Sequence, residues 1–82
     1  MKAVYELHRI QYLMHIIRQC NEVGYGGHIT LLYASPSEVC VRVEEKYEGS
    51  WTRRFESIEH AICEMRSWLR NRLYLAWSME SD

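Results

Sequence analysis

Glu38-Val39-Cys40-Val41-Arg42-Val43-Glu44 alternates without interruption. Val39, Val41 and Val43 point one way and Glu38, Cys40, Arg42 and Glu44 the other, the period of a strand with one buried face. A valine face needs a cover, and the rest of the chain has to supply it. Upstream, His28-Ile29-Thr30-Leu31-Leu32-Tyr33-Ala34 is rich in strand formers and sets Ile29, Leu31 and Tyr33 on one face. Ser35-Pro36-Ser37 between the two reads as a turn, because Pro36 fixes φ and lacks a donor. Downstream, Glu48-Gly49 marks a second turn. Trp51-Thr52-Arg53-Arg54-Phe55 follows as a third strand, with Trp51, Arg53 and Phe55 on one side. Both connections are short, which predicts an antiparallel meander.

Helical periodicity flanks this meander. Ala3, Leu7, Ile10, Met14 and Ile17 recur at steps of four, three, four and three, and Leu13, Ile16 and Cys20 widen the stripe. Gly24, Gly26 and Gly27 then stop the helix in a flexible bend. On the other side Ser57 is placed to cap a second helix, with Glu59 favoured in its first turn. Ile58, Ile62, Met65, Leu69, Leu73 and Ala76 form its apolar stripe, flanked by Ala61 and Trp68. Fraying is expected between Tyr74 and Ser78, and Met79 to Asp82 as a loose tail. The expected fold is α+β: a two-layer α-β-β-β-α chain, a three-stranded antiparallel meander with both helices on one face. Its expected core is Leu7, Ile10, Met14, Ile17, Leu31, Val39, Val41, Val43, Phe55, Ile62, Met65 and Leu69.

Eighty-two residues make one globular domain, residues 1–82. An apolar content of 48% and a single proline exclude a disordered chain. A net charge of −1 excludes both a polybasic tail and a strongly acidic mimic of nucleic acid. The longest stretch free of Asp, Glu, Lys and Arg, from Val23 to Ser37, is too short for a bilayer and is broken by glycines, a histidine and a proline. Met1-Lys2-Ala3-Val4-Tyr5-Glu6 lacks the apolar run of a signal peptide. Cys20, Cys40 and Cys63 are odd in number and contain no CxxC, which predicts free thiols and a cytoplasmic protein without membrane contact.

Motifs for chemistry are sparse. His60 and Cys63 stand three apart on the second helix, but a structural zinc site needs four ligands and no second close pair exists among the remaining histidines and cysteines. Neither a metal nor a cofactor is expected. No GxSxG, phosphate loop or HExxH occurs. Gly24-Tyr25-Gly26-Gly27 follows a helix and precedes a strand, the reverse of a dinucleotide loop. The chain therefore reads as a binding protein and not as an enzyme.

Two surfaces are candidates for that binding. Tyr5, His8, Tyr12, His15 and Gln19 recur at three, four, three and four along the first helix, roughly opposite the Leu7/Ile10/Met14 stripe. One sheet cannot cover both stripes. The second stripe is then ordinary exposed aromatics or an interface, with a homodimer as the expected way to cover it. Eight of the ten basic residues are arginine, and Arg53, Arg54, Arg66, Arg70 and Arg72 crowd the last third. Arg66 and Arg70 share a helix face with no acid three or four residues away. Arginine forks suit carboxylate or phosphate, so the partner-binding candidates are Tyr5, His8, Tyr12, His15, Arg53, Arg54, Arg66 and Arg70. The alternative is a nucleic-acid-binding domain using the arginines of the third strand and second helix.

Double-stranded RNA-binding domains have the same element order, with a lysine cluster opening the second helix. Phe55-Glu56-Ser57-Ile58-Glu59-His60 has no lysine there, so the chain is not a member. The passage from the hairpin through Phe55-Glu56-Ser57 into a helix carrying Ser67-Trp68-Leu69 resembles small phage-encoded anti-CRISPR inhibitors of type I complexes. The resemblance covers size, element order and barely a quarter of the chain. It implies a cofactor-free inhibitor that blocks a host defence complex by occupying a protein surface.

Overall fold

The computed structural model describes residues 2–80. The order is α1 (Lys2–Val23), β1 (His28–Ser35), β2 (Glu38–Glu45), β3 (Gly49–Phe55) and α2 (Ile58–Glu80). The strands form one open antiparallel sheet in the order β1-β2-β3. Ser35 fixes the first hairpin: its hydroxyl accepts from the Glu38 N–H and donates to the Glu38 carbonyl, both at 3.1 Å. The α-β-β-β-α fold and its meander are as the sequence predicts.

The register shows which side chains meet. Ile29 lies opposite Val43, Leu31 opposite Val41 and Ala34 opposite Val39. Across β2, Phe55 lies opposite Val39, Arg53 opposite Val41 and Trp51 opposite Val43. A bulge between Leu31 and Tyr33 corrects one expectation. One extra residue shifts the phase of the pleat, so Tyr33 turns to the open face and Ala34 takes the inward place. On that open face Cys40 is buried between its register partners Tyr33 and Arg54.

Both helices cover the valine face. Leu13, Ile16, Ile17 and Cys20 of α1 and Ile58, Ala61, Ile62 and Met65 of α2 form one core with Ile29, Val39, Val41, Val43 and Phe55. The helices run parallel: Arg9 reaches Glu59 near their starts, and Cys20 reaches Met65 and Arg72 further along. The buried arc of α1 differs from the expected one by about a quarter turn. Leu7 and Met14 are 53% and 46% exposed, and Ile10 is only partly buried. The cause is that α1 packs against the sheet and against α2 at once, so its buried arc faces the angle between them. Leu69 and Leu31 likewise lie at the margin of the core and Leu73 outside it.

Local contacts fix the helix ends. The Ser57 hydroxyl accepts from the His60 N–H at 3.1 Å, the expected cap. The Ile58 N–H donates to the Pro36 carbonyl at 3.2 Å, which ties the first hairpin to the start of α2. The α2 helix does not fray between Tyr74 and Ser78; it continues through Met79 and Glu80, while Ser81 and Asp82 lie outside the described residues. No described helix is long and apolar enough to cross a membrane.

Arg72 is the one charged side chain in the interior among the described residues. Its Nη1 donates to the Cys20 carbonyl at 3.0 Å and its Nη2 to the Gly27 carbonyl at 2.7 Å. It thus satisfies a carbonyl in the last turn of α1, a group that no helical partner can reach. The sequence groups it with the surface arginines of the last third; the structure removes it from them.

Ile62→Ala should cost ~2–5 kcal/mol and Leu7→Ala under ~0.5 kcal/mol in urea denaturation, because only the first empties a core site. Equal shifts in midpoint would contradict the rotated face of α1. Arg72→Met should cost about 2–4 kcal/mol, since two carbonyls lose their donors, and Arg72→Lys should recover only part of it because an ammonium lacks the planar fork. A wild-type midpoint for Arg72→Met would show that the buried guanidinium contributes nothing.

Candidate functional site

The parallel helices leave a groove of about 400 Å³ on the side away from the sheet. Tyr12, His15, Ile16 and Gln19 line it from α1, and Arg66, Leu69, Arg70 and Leu73 from α2. The three-four spacing of the α1 stripe carries it along the side of that helix facing outward and toward α2. The four-residue step from Arg66 to Arg70 does the same on α2. Four of the eight residues singled out from the sequence, Tyr12, His15, Arg66 and Arg70, therefore meet in one place.

The upper part of this face is held by an ion pair invisible in the sequence, since its members are 50 residues apart. Arg9 donates through Nε to Glu59 Oε1 at 2.9 Å and through Nη2 to Oε2 at 2.6 Å. Tyr5 adds its hydroxyl to Oε1 at 3.2 Å. The Arg9 guanidinium also lies 5.5 Å from the centre of the Tyr12 ring. Hydrogen bonding from Arg9, with smaller help from its charge and from Tyr5, holds the Glu59 carboxyl below the usual carboxylate range. The same bond raises the Arg9 guanidinium further above its ordinary value. Tyr5 is thus an exposed partner of Glu59, and His8 is exposed one turn further along the stripe.

Charge on the face is one-sided. Its acid, Glu59, is already matched by Arg9, whereas Arg66 and Arg70 meet no acid or other acceptor among the described residues. The strand arginines lie elsewhere. Arg53 places Nη2 3.5 Å from Glu64 Oε1 and its guanidinium 5.1 Å from the Phe55 ring centre, at the β3 edge on the helix side. Arg54, one residue on, points to the open face beside Cys40. The arginines named from the sequence are therefore divided among three surfaces.

The remaining histidine and cysteine side chains lie outside this groove. His60 lies edge-on to Phe55 at 5.5 Å and 3.6 Å from Glu64 Oε1. Cys63 is exposed and Cys40 buried; Cys20 donates weakly to the Met65 carbonyl at 3.8 Å, and burial pushes its thiol up. Among the described residues no three His, Cys, Asp or Glu side chains are grouped to hold a metal. His15 lines the groove without a hydrogen-bond or ion partner among them. The arrangement offers shape, aromatic rings and cations.

Below the groove α2 runs on alone. From Leu73 to Glu80 every residue except Ala76 is exposed, with Leu73, Tyr74, Leu75, Trp77 and Met79 between 45% and 66%. The expectation of fraying hid this feature. Its signal is the spacing of Arg66, Arg70, Leu73, Trp77 and Glu80 at four, three, four and three. No family model matches the chain, and neither the curated proteins nor the solved structures contain a match.

The ion pair at the top of the face has a definite pH dependence. A carboxyl lowered on folding stabilises the fold fully above its unfolded value and loses that contribution as pH falls through the folded one. Wild type should melt above Glu59→Gln at neutral pH, and the gap should close as pH drops below about 4. A gap that is constant down to strong acid would show that Glu59 does not act through its charge.

Proposed function

We propose that the chain is a non-catalytic protein-binding module whose foreign partner docks on the outer face of the helix pair. Tyr5, His8, Tyr12 and His15 supply amphipathic contact area, and Arg66 and Arg70 supply the charge, with Arg70 at the lower limit of the face. The observation that carries this reading is the groove between α1 and α2, where aromatic rings stand beside two arginines that no acid among the described residues neutralises. Tyrosine and arginine are the residues that concentrate binding energy in protein interfaces. A partner that fits would present an acidic rim around an apolar side chain able to enter the groove. The resemblance to small phage inhibitors narrows the partner to a bacterial defence complex, met in the cytoplasm, and rests on size, element order and the segment around Phe55–Leu69.

A nucleic-acid partner would use the same arginines as phosphate contacts. Their division among three surfaces favours a compact protein contact over a continuous phosphate track. The test is affinity capture from nuclease-treated bacterial lysate, comparing wild type with the Tyr12→Glu/Arg66→Glu variant. A protein retained by wild type and reduced at least ~10-fold by the double change is the expected result. Capture abolished by nuclease, with purified complexes weakening steeply in salt, would support the nucleic-acid reading instead.

A further inference from the structure

We propose that the lower part of α2 is a seam for a second copy of this chain, paired antiparallel. This goes beyond the foreign-partner face, with which the seam shares Arg70 and Leu73 at the lower end of the groove, and it rests on the order of residues along α2 and not on that reading. Arg70, Leu73, Trp77 and Glu80 follow at steps of three, four and three, which puts them on one side of the helix at coiled-coil spacing. The seam reads base, apolar, apolar, acid.

That order is self-complementary only under one arrangement. Two copies related by a two-fold axis near Leu75 would set Leu73 against Trp77 of the second copy and Arg70 against Glu80, each contact occurring twice. A parallel pair would oppose Arg70 to Arg70 and Glu80 to Glu80. Two further observations favour the antiparallel pair. The last turn of α2 contains no basic residue, so Glu80 sits at the negative end of the helix dipole with no cation in that turn to offset it. A guanidinium from a second copy supplies that charge. Arg70 in turn has no acceptor in its own chain among the described residues. Trp77, 64% exposed, would enter the lower end of the groove beside Leu73.

This homodimer forms through α2 and not, as expected from the sequence, through the stripe of Tyr5, His8, Tyr12 and His15, which stays free. Sedimentation equilibrium of the full chain decides between the possibilities. Wild type should be largely dimeric at about 100 µM, the range expected of an interface of this modest size. Arg70→Glu and Glu80→Arg, both at exposed positions, should each raise the dissociation constant at least ~10-fold by setting like charges together. The Arg70→Glu/Glu80→Arg double variant should dimerise again. Circular dichroism of each variant should match wild type, which separates a broken seam from a broken fold. A wild-type monomer at that concentration overturns the proposal, including where the seam binds a foreign protein or lipid vesicles instead. A dimer indifferent to both single reversals, or a double variant that stays monomeric, also overturns it. Loss of foreign-protein capture by Tyr12→Glu/Arg66→Glu would leave this result unchanged, so the two proposals can fail separately.

Discussion

The guanidinium of Arg72 sits where α1, the loop after it and α2 meet, and their mutual placement depends on it. A buried charge is tolerated only when its donors are satisfied. Here two carbonyls, from Cys20 and Gly27, accept them. The glycines follow from the same contact. Gly26 has φ +87°, and a Cβ there would lie 3.0 Å from Arg72 Nη2. A Cβ on Gly27 would lie 2.7 Å from Val43 and 2.8 Å from the Glu44 carbonyl. The glycine run thus lets the chain pass between the arginine and β2 as well as stopping a helix. An apolar side chain in its place would leave both carbonyls without those donors, which is costly. What Arg72 sets is geometry, namely the level along α2 at which α1 ends.

That level has a consequence for the surface. Since α1 stops at Val23 with its last turn bound to Arg72, the part of α2 beyond Arg72 has no helix beside it. The upper half of the pair is closed by Arg9 and Glu59 and the lower half is open on most sides. The sheet is treated differently. Asn21 of α1 donates to the Ile29 carbonyl at 2.9 Å and accepts from its N–H at 2.8 Å, so a side-chain amide occupies the edge of β1 as a neighbouring strand would. The bulge at Leu32 twists the rest of that edge out of line. At the other edge Trp51 packs 5.9 Å from Trp68, centre to centre. Strand addition is thereby discouraged at β1.

Elements decided by period were legible in the sequence, and elements decided by neighbours were not. The alternation in β2 and the two short turns specify the meander, and Ser57 caps α2 as its side chain predicts. The bulge escapes because Leu31-Leu32 is apolar on both faces, so the pattern does not show where the phase slips. The face of α1 escapes because apolar residues occupy most of its circumference, and only the position of α2 selects Leu13 and Cys20 over Leu7 and Met14. Arg72 looks like any surface arginine until its two carbonyls are known. In the candidate site, Tyr12, His15, Arg66 and Arg70 come together because each shares a helix face. Arg53 and Arg54 separate because adjacent strand residues point oppositely, a rule readable in the sequence from the start.

The two proposed surfaces differ in kind, and the difference has a physical basis. The upper face is aromatic and cationic, with polar tips that tolerate water, the composition of interfaces that form and dissolve. The lower seam is an apolar pair bracketed by opposite charges, on a helix with too few residues beyond its support to be stable in isolation. Leu73, Tyr74, Leu75, Trp77 and Met79 exposed together favour association, because each copy gains by removing them from water. With the seam paired, the two upper faces lie at opposite ends of one particle. Each copy would then keep the upper part of its proposed foreign-partner face, from Tyr5 to Arg66, and a target with two matching surfaces, or two neighbouring targets, would be held with the added effective concentration of the second contact. A monomer bearing the same upper face would lack that gain.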